Sequence, residues 1–125
     1  MVKNVNVIDL ALKLTKFFDL WSPKIIAEQN ESYIKLAKLK GEYIWHKHDK
    51  EDEMFLILKG NLTIELQDKI LYLKTGEMVV IPKGIEHRPV ADAEVHVMLI
   101  EPTTTISTGN SKNTEGKKST QGEWI

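Results

Sequence analysis

The stretch from Gly41 to Gly60, GEYIWHKHDKEDEMFLILKG, decides how this chain is read. On an extended backbone residues i and i+2 share a face, so His46 and His48 project together with Ile44, while Tyr43, Trp45 and Lys47 project the opposite way. The polar tetrad Asp49-Lys50-Glu51-Asp52 supplies a chain reversal, after which Glu53 heads the apolar run EMFLILK with the parity of Phe55 and Ile57. A hairpin of that length returns Glu53 beside the two imidazoles, at the head of an apolar face where an unpaired carboxylate would be costly. A cation placed there would compensate it.

Further along, GEMVVIPKGIEH from Gly76 to His87 carries a strand, a Pro-Lys-Gly turn and a third histidine leaving that turn. Three of the four histidines thus stand at positions able to converge, and His46, His48, Glu53 and His87 are the candidate ligands of one divalent metal. The fourth, His96 in EVHVMLI, reads as a strand histidine with its bonds satisfied locally. The chain has no cysteine, so a metal must be held by nitrogen and oxygen. Three imidazoles and one carboxylate leave one or two positions open and suit Mn, Fe, Ni, Co or Zn.

Outward from this core the pattern is all-β. Short runs, KIIAE, SYIKLAKL, EYIWHKH, EMFLILK, LTIELQ, ILYLK, MVVIP and EVHVMLI, alternate with turn residues such as Gln29-Asn30-Glu31, Lys59-Gly60-Asn61 and Thr75-Gly76-Glu77. Before them, Leu10, Leu14, Phe17, Phe18 and Trp21 recur at spacings of three and four. This predicts a short amphipathic helix between Ile8 and Trp21, capped by Asp9 and ended by Ser22-Pro23. The chain divides into an N-terminal helix and first strand segment over 1–30, a β-barrel over 31–102, and a polar tail over 103–125. The tail ends in Trp124-Ile125, an apolar pair expected to dock.

The spaced motifs resemble those of the cupin superfamily. The first appears as Gly41, His46-Lys47-His48, Glu53 and Gly60, the second as Gly76, Pro82-Lys83-Gly84 and His87. Two places depart from the family pattern: four residues separate Gly41 from His46 where one more is usual, and Ala91 stands where Asn often ends the second motif. The run from Trp21 to Glu101, with WSPK, PKGIEHRPVA and LIEP, is similar to small single-domain bacterial cupins of the type-2, mannose-6-phosphate isomerase-like group. The resemblance implies a double-stranded β-helix, the jelly-roll barrel, with a metal held by the four residues named above.

Composition narrows the function. With 125 residues, 42% hydrophobic and 28% charged, and a net charge of −1, the chain carries no basic field for a phosphate backbone, so nucleic acid is not an expected partner. No apolar run approaches the ~20 residues of a membrane span, and the N-terminus lacks a signal-peptide pattern, which gives a cytoplasmic expectation. The inward set read from strand parity is Ile44, Phe55, Ile57, Leu62, Ile64, Leu66, Met78 and Val80, with no acid or base clear of the ligand sphere. Phe55, Ile57 and the lone arginine, Arg88, are the substrate-binding candidates, and no catalytic side chain is assigned. That lining suits a small, fairly apolar ligand and metal-dependent oxidative or Lewis-acid chemistry. A non-catalytic binding or sensing module and a sugar-phosphate isomerase-like enzyme are the alternatives. Outward Tyr43 and Trp45, with the polar tail, predict a homodimer.

Overall fold

The computed structural model describes residues 5–125. The helix α1 is shorter than its periodicity suggests, Leu10–Leu14, with Asp9 as N-cap accepting from the Leu12 amide at 3.2 Å. Its truncation has a tertiary cause. The ammonium of Lys38, a residue of the central strand, donates at 2.7 Å to the carbonyls of both Leu14 and Phe17. Those carbonyls would otherwise need further helical turns or water. Phe17 then packs with Ile26 and Leu36 in a small second core. Trp21 turns the chain at φ 57, held by its amide and indole N–H, each 2.9 Å from the Lys38 and Lys40 carbonyls respectively.

The strands follow as β1 (Lys24–Gln29), β2 (Ser32–Glu42), β3 (Glu53–Lys59), β4 (Asn61–Leu66), β5 (Ile70–Lys74), β6 (Met78–Ile81), β7 (His87–Pro102) and β8 (Glu123–Trp124). β1 and β2 join through a tight turn at Asn30, whose φ of 53 suits an asparagine. The spatial order is β5-β4-β7-β2-β1-β8; off this path β3 pairs with β7 on one edge and with β6 on the other. The all-β jelly-roll fold expected from the sequence is present, preceded by one short helix; its strands form a sheet that does not close into a hydrogen-bonded barrel. No helix among the described residues is long and apolar enough to cross a membrane.

β7 organises the molecule. Its first residues pair with β4, its later ones with β3, and nearly its whole length with β2. β2 is therefore covered on both faces: Ala37 and Leu39 enter the main core, while Leu36 enters the smaller one beneath α1. Gly60, at φ 92 between β3 and β4, lets the chain pass close to β7; a Cβ there would stand 3.1 Å from the Glu94 carbonyl.

Three expectations need correction. The run EYIWHKH forms no regular strand: beyond Glu42 it is tied to the sheet by the Tyr43 amide on the Pro89 carbonyl at 2.9 Å and by one isolated bridge, His46 with His87. Tyr43 faces inward at 7% exposure, because a register shift between Leu39 and Gly41 resets the alternation before this segment begins. Met78 and Val80 are exposed, and Val79 and Ile81 face the interior instead, since β6 pairs Val79 with Phe55 and Ile81 with Glu53. Of the rest of the inward set, Ile44, Phe55, Ile57, Leu62 and Ile64 are buried and Leu66 packs partly buried against them.

The tail 103–125 has three anchors. Thr105 and Thr108 are buried, Asn110 exchanges hydrogen bonds with the Lys47 backbone at 3.0 and 3.1 Å, and β8 pairs in parallel with β1. Of the terminal pair it is Ile125 that packs against the second core; Trp124 stays 56% exposed and meets Tyr33 edge-on.

Candidate metal centre

His46 and His87 are brought together by backbone. Each donates its amide to the other's carbonyl, at 3.1 and 2.9 Å, so their side chains leave the same bridge on one face. His48 is fixed two residues on by its carbonyl, which accepts from the Gly84 amide at 2.8 Å and so locks the histidine pair onto the Pro82-Lys83-Gly84 turn. Glu53 opens β3 opposite Ile81. One donor atom from each of His46, His48, Glu53 and His87 lies within 4.8 Å of all the others, and all four residues are buried.

The ring orientations prepare this cluster for a cation. Nδ1 of His46 lies 3.0 Å from the Ile44 carbonyl and Nδ1 of His87 lies 2.9 Å from that of Ile85. An N–H on each Nδ1 leaves the Nε2 lone pair facing the cluster, the second partner that metal-binding histidines use. Nε2 of His48, Nε2 of His87 and Oε1 of Glu53 have no hydrogen-bond partner, although all are buried. Both nitrogens stand 3.4 Å from that oxygen, the spacing of donors each about 2.1 Å from a shared ion at a tetrahedral angle. Three orphaned buried atoms facing one point would be costly unless a cation satisfied them together. The donor set could hold a divalent transition metal.

The electrostatics agree with closely packed donors. Burial, reinforced by the neighbouring His87, pushes the His46 imidazole down to about 4. Burial acts the same way on His87, but the Glu53 carboxylate outweighs it and raises that histidine. Glu53 itself would be raised by burial, yet the facing imidazoles of His48 and His87, with Glu101, hold it well below the usual carboxylate range.

Behind the donors lies a cavity of about 40 Å³, with Trp21, Tyr43, Phe55 and Leu99 among its walls and His46, Glu53 and Glu101 on its polar side. Trp21 stacks on Tyr43 at 4.6 Å between ring centroids, and Tyr43 meets His46 edge-on at 5.2 Å. Glu101 is the group that strand parity failed to single out. It is 2% exposed, continues the inward alternation of Val95, Val97 and Leu99, and accepts from the Lys35 ammonium at 2.7 Å. Burial, then the nearby negative charge of Glu53, raises its carboxyl well above the ordinary range, with Lys35 opposing. The interior thus contains an acid outside the donor set, contrary to the apolar lining expected.

The remaining candidates fall in different places. Phe55 lines the cavity, whereas Ile57 is buried in the main core. Arg88 does not line the cavity; its guanidinium is 2.7 Å from Glu65, 3.2 Å from Glu42 and above the Trp45 ring. His96 pairs with Glu94 at 2.7 Å on the sheet surface.

Residues 34–102 match the family described as the cupin domain. The chain belongs to the cupin family. A solved cupin-2 domain protein from Shewanella frigidimarina is 46% identical and superposes with a TM-score of 0.76, covering 77% of this cupin and 94% of that chain. The uncharacterized protein YdbB of Bacillus subtilis is 44% identical over 64 residues, 50% of this chain and 57% of that protein. Acireductone dioxygenase 4 of rice is 30% identical over 89 residues, 67% of this chain and 46% of the rice protein. The cupin therefore spans about half the length of the curated relatives it matches.

Proposed function

We propose that this cupin binds one divalent transition metal through His46, His48, Glu53 and His87 and uses it on a small molecule held in the adjoining cavity. The observation that carries this reading is the set of buried donors within 4.8 Å of one another, three of whose atoms lack any protein partner. When bound, such a metal supplies Lewis acidity or, as iron or manganese, redox chemistry with dioxygen. The chain's own groups do the rest. Nδ1 contacts to the Ile44 and Ile85 carbonyls fix two imidazoles. Trp21, Phe55 and Leu99 exclude water from one side, and Glu101 places a carboxyl at the cavity wall whose hold on a proton is strengthened by burial.

Two observations favour oxidative or Lewis-acid chemistry over sugar-phosphate isomerisation. Among the described residues no lysine or arginine lines the cavity to anchor a phosphate, and the nearby Lys35 is engaged by Glu101. The similarity to acireductone dioxygenase 4 supports the same preference. Elemental analysis of protein purified without chelator should find near-stoichiometric transition metal, and His48→Ala should lose it. The iron- and manganese-loaded protein, screened against phenolic, keto-acid and sugar-phosphate substrates, should turn over one of the first two classes. Turnover of sugar phosphates alone would overturn the preference, and binding without turnover would favour a sensing module. The reading includes a homodimer, supported by the exposed Met78, Val80 and Trp45; a monomer by light scattering at micromolar concentration would count against it.

A further inference from the structure

All four donor residues are buried, with exposures of 6% or less, and the cavity of about 40 Å³ behind them has room for about three water molecules. A molecule of more than a few heavy atoms reaches the donors only if part of the wall moves. Most of that wall is fixed. Phe55, Val97 and Leu99 belong to paired strands, and the Trp21 turn is bonded to the Lys38 and Lys40 carbonyls. Tyr43 and His46 are held through their amides by the Pro89 and His87 carbonyls. Ser107, from the polar tail, is the exception.

Its neighbours Thr104, Ile106, Gly109 and Asn110 line a second, outer cleft of about 240 Å³ together with His48, Asp49, Lys50 and Glu51. One short stretch of tail, residues 104–110, thus borders both spaces that reach a donor residue, the inner at His46 and Glu53 and the outer at His48. Its middle is bonded within the tail: the Ser107 and Gly109 amides take the Thr120 and Ile106 carbonyls, and Thr108 pairs with Ser119. The rest of the molecule is gripped at the two ends. There the Thr104 hydroxyl donates to Glu51 at 2.8 Å, and Asn110 exchanges hydrogen bonds with the Lys47 backbone at 3.0 and 3.1 Å. Between these ends the Thr105 hydroxyl is buried without a partner, a cost of the closed position that water would relieve on opening.

We propose that residues 104–110 form a gate. Its ends release Glu51 and Lys47, the segment lifts, and the inner cavity and outer cleft join into one chamber that admits a small molecule to the metal. This inference rests on the metal-dependent reading above and adds how the site is reached. The side-chain bonds that close the gate are exposed, so it opens locally while the sheet stays paired.

The test follows cobalt(II) by its visible absorption, both during uptake by the metal-free chain and during release to excess EDTA. Both rates scale with the population of the open gate, so a variant that loosens one end raises them by the same factor and leaves the dissociation constant unchanged. Asn110→Ala and Thr104→Val, both at exposed positions, should each raise the two rates about fivefold, the loss of one hydrogen bond. In metal-free wild type the Lys47 and Asn110 amides should exchange faster than those of His46 and His87, which pair with each other's carbonyls. Faster release with unchanged uptake would show that the tail only braces the donors and would overturn the gate. Unchanged rates in both variants, or equal protection of the four amides, would overturn it as well. Protein that takes up no cobalt would overturn the metal reading, and this inference with it.

Discussion

The ammonium of Lys35 and the carboxyl of Glu101 meet at 2.7 Å between two adjacent strands, with only 1% and 2% of their side chains exposed. Glu101 in turn sits beside Glu53, and burial, with that carboxylate's negative charge, raises its carboxyl well above the ordinary range. The pair therefore links the central strand to the edge of the donor cluster. Breaking it has unequal consequences from its two ends. Glu101→Leu strands a buried ammonium and should cost about 3–5 kcal/mol. Lys35→Met leaves a carboxyl that burial already favours in its neutral form, and should cost less. Urea unfolding of both variants in the same metal state would show this, and equal losses would contradict it.

His46 provides a pH signature. Its imidazole falls from 6.5 to about 4 on folding, so the neutral form is the one the fold prefers. The sign follows from linkage: this contribution is complete above pH 6.5 and is lost as the pH falls towards 4. Glu53, also lowered, acts in the same direction as His46 and the raised His87 and Glu101 act in the opposite one, so the effect is isolated by comparison with His46→Gln. In metal-free protein the stability advantage of wild type over that variant should shrink by about 3 kcal/mol between pH 6.5 and 4. A gap independent of pH would show that His46 is not buried neutral.

Gly109 presses the tail onto the HxH segment. Its φ is 57, and a Cβ built there would collide with the Lys47 carbonyl and lie 3.2 Å from the His46 ring. Gly109→Ala should therefore detach residues near 109, with faster amide exchange at Lys47 and Asn110 and a loss of about 1–3 kcal/mol. Unchanged exchange at those two amides would show that the tail does not brace the donor segment.

Removal of metal should lower the melting temperature. Binding to the folded state alone adds about 4 kcal/mol when free metal exceeds Kd a thousandfold. Calorimetry with and without chelator should show that gain in wild type and its absence in His48→Ala. A chelator-insensitive melt in protein that contains metal would place the ion elsewhere.

The strand parity of His46, His48 and Glu53, and the turn that delivers His87, were legible in the sequence because a period of two and a glycine-framed reversal are local properties of the chain. The same local reasoning located most of the strands and the Asp9 cap. It placed Tyr43, Met78 and Val80 on the wrong faces, because parity within a run says nothing about where a bulge resets it or which residue of a neighbouring strand stands opposite. A shift of one residue exchanges the two faces.

The short helix was legible, but its extent was overestimated for a related reason. Its length depended on Lys38, more than twenty residues away, whose ammonium takes the carbonyls that a longer helix would have paired internally. Glu101 was hidden in an apolar run, where its inward alternation with Val97 and Leu99 was visible but its partner was not. Lys35 reaches it only because β2 and β7 pair Lys35 with Leu99 and Tyr33 with Glu101, setting the two charges diagonally across the ladder. The sequence by itself determined which residue types could bind a cation and the spacing that aims them. Only the tertiary structure decided which other polar groups share their cavity, because burial and charge pairing between distant segments exist only once the register of the sheet is set.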